Sequence, residues 1–138
     1  MTQEAFWYVF IAFLAFDFLL LVFVFWRKLK AKSIFGTQRK YLNSQWKNIE
    51  KLFNTDAKAA VIEADKLLDY AMGVVFKNKL SVGQNLKANG KIFTDLNGIW
   101  YAHKLRNQLV HQLNFKLKPS DINLAKRDFY QALKDLGM

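Results

Sequence analysis

Residues 100–112 read WYAHKLRNQLVHQ, and the spacing of their apolar and polar positions decides the fold class. On a helical wheel at about 100° per residue, Ala102, Leu105, Leu109 and Leu113 share one face and are expected in a core. Trp100, His103, Asn107 and His111 fall on a stripe roughly 80° wide on nearly the opposite face. Arg106 lies on the shoulder between them, roughly 140° from His111. The segment therefore reads as an amphipathic helix. Its polar stripe must face water, the polar side of another helix or a second subunit.

The neighbouring segments carry the same helical period. Thr94 is the expected N-cap of this helix, with Asp95 in its first turn and an end near Leu113. NFKLKP then breaks the chain, and Ser120 behind Pro119 is expected to cap a last helix, DINLAKRDFYQALKDLG, that stops at Gly137. Upstream, TQRKYLNSQWKNIEKLFN (residues 37–54) places Tyr41, Leu42, Trp46, Ile49, Leu52 and Phe53 at helical spacing. Thr55 as N-cap and Asp56 in the first turn open a second helix, DAKAAVIEADKLLDYAMGVVFKN. Its apolar face holds Ala60, Val61, Ala64, Leu67, Leu68, Ala71 and Val75, and it is expected to end near residues 77–79. LSVGQNLKANGKIF, with two glycines and two asparagines, reads as a loop with one short helical turn from Ser81. One proline and six glycines in the chain favour long helices over many short strands. The expected fold is all-α: an up-and-down four-helix bundle over residues 38–138.

The N-terminal part has a different character. AFWYVFIAFLAFDFLLLVFVFW (residues 5–26) is interrupted by one charge, Asp17. As a helix it rises roughly 33 Å, against a hydrocarbon core of about 30 Å. Trp7 and Tyr8 at one end and Trp26 at the other occupy interfacial positions. The leader MTQE lacks a positive charge, and no small-residue cleavage site follows, so a retained transmembrane anchor over residues 1–26 is expected rather than a cleaved signal peptide. Residues 27–37 form a basic juxtamembrane segment. Arg27, Lys28, Lys30 and Lys32 are expected to contact anionic lipid headgroups, and Arg39 and Lys40 continue the run with no acid between. The positive-inside rule places the C-terminal domain in the cytoplasm and the N-terminus outside, as in a single-pass protein of a bacterial inner membrane. Asp17 is either an intramembrane association point, its carboxyl bonded to another helix, or a single tolerated charge.

Composition narrows the chemistry. At 138 residues the chain has room for one modest core. Without cysteine, disulfides, thiolate zinc sites and cysteine nucleophiles are excluded. With two histidines and no ligand spacing, neither a metal nor a cofactor is expected. All 21 Lys and Arg lie beyond residue 26, against nine of the eleven acidic residues, so the C-terminal part carries +12. Anionic partners follow, phospholipid or RNA. No phosphate-binding glycine loop, nucleophile elbow or paired-carboxylate motif is present.

RNQLVH (residues 106–111) resembles the Arg-Asn-x-x-x-His signature of HEPN domains, helical bundles that carry it on a late helix. The resemblance covers roughly residues 38–136. AVIEADKLLDYAM, WYAHKLRNQLVH and FYQALKDLG also resemble a group of small bacterial membrane-anchored proteins of unassigned function. It implies a homodimer or higher homo-oligomer with a metal-independent endoribonuclease or RNA-binding role. Arg106 would be the phosphate-contacting cation, His111 the general acid or base, and Asn107 a polar partner that orients the site. Trp100 and His103, outside the signature, make a secondary polar stripe. Toxin-type members often place a Tyr two residues after the His, where this chain has Leu113. Without catalysis, Arg106 would pair with a second-helix carboxylate such as Asp65 or Asp69, and the histidines would be bonded inside the bundle. Trp100 would then be packing, and the protein a membrane-tethered interaction module using the stripe to dimerise or dock a partner.

Overall fold

A computed structural model describes residues 2–138, with the side chains of residues 27–35 outside the description. The lipid-contact expectation for Arg27, Lys28, Lys30 and Lys32 lies in that undescribed set. Five α-helices occur in order: α1 (Gln3–Thr55), α2 (Ala57–Phe76), α3 (Val82–Asn89), α4 (Leu96–His111) and α5 (Pro119–Asp135). A 3-10 turn, Gly90–Ile92, follows α3, and no strand occurs among the described residues. The chain divides into two units, Met1–Thr37 and Gln38–Met138.

In the first unit, Gln3–Trp26 is a helical stretch of 24 residues, long and apolar enough to cross a membrane. Its large apolar and aromatic side chains from Phe6 to Trp26 are exposed, as is Asp17.

The second unit holds the core. The C-terminal part of α1 contributes Leu42, Trp46, Ile49 and Phe53, all buried, while Tyr41 stays exposed. Trp46 meets the Tyr130 ring of α5 at 5.5 Å, and the Tyr70 hydroxyl of α2 donates to Gln38 Oε1 at 2.7 Å. Helix α2 buries Ala60, Val61, Ala64, Leu67, Leu68, Ala71 and Met72. It packs on α3, α4 and α5, and α4 packs on α5. Phe129 of α5 is completely buried among them. Gly98 permits the close approach of α4 to α5: a Cβ there would come within 2.8 Å of Asp128 Cγ.

The helix starts differ from the sequence expectation in instructive ways. Asp56, not Thr55, caps α2, its Oδ1 accepting from Ala59 N at 3.0 Å. Asp95, not Thr94, caps α4 through Gly98 N at 2.8 Å. Thr94 instead donates from its backbone and its hydroxyl to the Asp135 carboxylate at 2.7 and 2.8 Å. At α5, Pro119 rather than Ser120 opens the helix, because the first position needs no N–H and proline's φ is already helical. Asp121 Oδ2 accepts from Lys118 N at 3.3 Å. At α2 and α4 a carboxylate takes the capping role that the preceding threonine suggests, while at α5 Asp121 accepts from the backbone before the helix.

The segment expected as a loop with one short helical turn from Ser81 forms a longer helix from that point, the eight-residue α3 capped by Ser81. Ser81 and Gln84 form a reciprocal capping box, with Gln84 N donating to Ser81 Oγ and Ser81 N to Gln84 Oε1. Asn85, completely buried, exchanges amide hydrogen bonds with Asn78 and donates to Leu80 O. Asn85, one of the two asparagines that suggest a loop, thus closes the α2–α3 connection through Asn78. Leu113 is the largest correction to the expected core: α4 ends at His111, Gln112 is extended, and Leu113 is 96% exposed. Once the chain leaves the helix, the wheel no longer applies.

Candidate functional site

The polar groups of α4 meet a carboxylate of α2. Asp65 sits in the buried register of α2, between Ala64 and Leu68, and is 4% exposed. His103 Nδ1 donates to Asp65 Oδ1 at 2.7 Å. Asn107 Nδ2 lies 3.3 Å from His103 Nε2, and Arg106 Nη1 donates to Asn107 Oδ1 at 3.0 Å. Arg106 Nε lies 3.4 Å from Asp65 Oδ2, an ion pair without a hydrogen bond. The four side chains close a ring of contacts: Arg106, Asn107, His103, Asp65 and back to Arg106.

Directions in this ring follow from what each group can do. A carboxylate only accepts, so the hydrogen between Asp65 and His103 sits on Nδ1. Nε2 is then the free lone pair, and the Asn107 amide points its NH2 toward it. The Asn107 carbonyl consequently faces Arg106, the one partner that only donates. Every orientation is consistent with the next. Sequence reasoning placed Trp100, His103, Asn107 and His111 on one stripe, and the structure explains the bend in that picture. Arg106, on the shoulder of the wheel, points to α2 and reaches the same carboxylate as His103.

His111 stands apart. It is the last residue of α4, exposed, and makes no hydrogen bond or ion pair among the described residues. Within one chain the signature splits into a fixed pair, Arg106 and Asn107, and a free imidazole. Asp65 was named in the sequence only as one alternative partner of Arg106. The signal that singles it out is an acid at the i+4 position after Val61 and the i−3 position before Leu68, where the buried stripe calls for an apolar residue.

A cavity of ≈ 380 Å³ opens beside the ring, lined by Trp100, Tyr101, His103, Lys104 and Asn107. The Trp100 and His103 rings meet edge to face at 6.4 Å. The Tyr101 hydroxyl donates to Asp121 Oδ1 at 2.7 Å. This hydrogen bond holds the Asp121 carboxyl below its ordinary range and raises the Tyr101 phenol. The Asp121 contribution to stability is therefore full above the unfolded carboxylate pKa of about 4 and is lost as pH falls through the lower folded value. The Tyr101 contribution is full below about pH 10 and is lost as pH rises through the higher folded value. Tyr101→Phe should reduce both dependences, so the stability gap between wild type and variant should close at either extreme. Denaturant unfolding at a series of pH values measures it, and a gap constant from acid to alkali would contradict the assignment.

Among the described residues, no group of three His, Cys, Asp or Glu side chains converges in a way that would hold a metal ion. No protein-family model matches the chain, and neither a curated protein nor a solved structure matches it.

Proposed function

We propose that the chain is a membrane-tethered, HEPN-like helical bundle that dimerises and cleaves RNA without a metal. The apolar N-terminal helix anchors it as a single-pass protein, and the basic residues after it keep the C-terminal domain on the cytoplasmic side against anionic headgroups. The observation that carries the reading is the split of the signature: Arg106 and Asn107 are held by Asp65 and His103, while His111 is exposed at the helix end. Two copies related by a twofold axis would bring the free imidazole of one to the fixed guanidinium of the other. An imidazole can take the 2′-hydroxyl proton while the 2′-oxygen attacks phosphorus to form a 2′,3′-cyclic phosphate, and the 5′-oxygen departs as a hydroxyl with a proton from the imidazolium or solvent. A guanidinium steadies the charge that builds on the phosphoryl oxygens. The +12 C-terminal part favours a polyanionic substrate.

RNA cleavage by the full chain in detergent with EDTA tests this, against Arg106→Ala and His111→Ala. Loss in both variants supports the assignment; equal cleavage by all three removes it. A non-enzymatic reading is favoured by a different observation, the way Asp65, His103, Asn107 and Arg106 satisfy one another inside one protomer. On that reading the ring clips α2 to α4, and the stripe docks a second copy or another protein. Absence of cleavage in the wild type, with or without magnesium, selects it.

A further inference from the structure

Two side chains line the cavity beside His103 without being used by the proposed acid–base chemistry. The indole of Trp100 is only partly buried: it packs against the core on one side and lines the cavity on the other. Lys104 is exposed and makes no ion pair among the described residues, so its ammonium is available to an anion. Gly83 of α3 lies close over both rings and is not part of the cavity lining. A Cβ there would stand 3.7 Å from Trp100 Cη2 and 3.9 Å from His103 Nε2. Its backbone is helical, so the glycine is not required by any unusual φ.

We infer that this cavity is a subsite for one unstacked nucleotide of single-stranded RNA. The base lies against Trp100 and its phosphate meets Lys104, while the His103 imidazole, held through Nδ1 by buried Asp65 and through Nε2 by the Asn107 amide, is a fixed wall of the cavity. The volume of ≈ 380 Å³ falls within the range of small-ligand sites. An aromatic face and an unpaired cation side by side are what a base and its phosphate require, and a base inside a duplex cannot present its face. Trp100 lies six residues before Arg106, roughly 9 Å along the helix. The subsite therefore holds a nucleotide beside the phosphate that Arg106 would contact. Trp100, which the sequence suggested as packing, here serves recognition. The inference rests on the RNA reading, but it is a statement about binding, and it stands or falls separately from cleavage.

The test uses the full chain in detergent at low salt with a labelled single-stranded 2′-O-methyl hexanucleotide, which lacks the nucleophile and cannot be cut. Affinity by fluorescence polarisation should fall about tenfold in Trp100→Leu. A similar fall is expected in Lys104→Glu, which reverses the charge of the exposed side chain lining the cavity. Melting temperatures near the wild type show that both variants fold, and ultraviolet crosslinking should mark Trp100 or Tyr101. A probe in duplex form should bind more weakly than the single strand. Tight binding that neither substitution weakens, or a crosslink on another helix, overturns the subsite while leaving the RNA reading in place. No binding by the wild type also overturns the subsite, and His111-dependent cleavage of natural RNA then decides whether the broader reading survives. Binding without cleavage supports the subsite and removes the nuclease.

Discussion

His111→Ala in the full chain should lower the rate of RNA cleavage by about a hundredfold or more, with the melting temperature unchanged. The second half of the expectation gives the first its value. His111 is exposed, ends α4 and has no partner among the described residues, so its removal should shift stability by no more than about 0.5 kcal/mol. Arg106→Ala is a less clean experiment. It abolishes the ion contact to Asp65 and leaves the Asn107 carbonyl without its donor, so lost activity and lost stability would arrive together. His111 separates chemistry from folding, and cleavage that survives its removal would assign the acid–base role elsewhere.

Asp65→Ala should be the most damaging polar substitution in the domain. Asp65 is nearly inaccessible and answers both the His103 Nδ1 hydrogen and the Arg106 guanidinium. Removing one member of a buried ionic group leaves the others desolvated and unpaired, at a cost of about 3 kcal/mol. Arg106 is 27% exposed and can turn part of its charge to water, which keeps the figure at the low end for such sites. For a domain of this size the melting temperature should fall by on the order of 15 °C, read by near-ultraviolet circular dichroism. Asp65→Asn should cost less, because an amide oxygen still accepts from His103. Pairing Asp65→Leu with Arg106→Met should recover most of the loss, since an apolar replacement of both partners abandons no charge. If Asp65→Ala melts with the wild type, the ring does not join α2 to α4.

The all-helical character was legible because long periodic segments dominate the chain. Leu42, Trp46, Ile49 and Phe53 on α1 and Ala60, Val61, Ala64, Leu67, Leu68 and Ala71 on α2 are buried as their spacing suggests. The departures occur where a side chain chooses between local and distant partners. Thr94 resembles a cap but spends its hydroxyl on Asp135, forty-one residues away. The α3 segment reads as a loop with a single helical turn because its two glycines, Asn85 and Asn89 favour turns locally, yet here both asparagines join Asn78 in one hydrogen-bonded group. The polar stripe of α4 was visible on a wheel, but its partner on α2 was not. A wheel shows directions on one helix and says nothing about which carboxylate a neighbouring helix presents. Asp65 could have been noticed as a charge within an apolar register, and the choice between it and Asp69 depended on how the two helices pack.

Complementation between two inactive variants tests the central claim most directly. Arg106→Ala and His111→Ala chains carrying different tags are co-expressed in equal amounts, purified in detergent and assayed on RNA with EDTA. If each site joins Arg106 of one protomer to His111 of its partner, half of the dimers are mixed and each mixed dimer holds one intact site, so about a quarter of wild-type activity should return. Mixed dimers that form and stay inactive, beside an active wild type, would contradict the shared site.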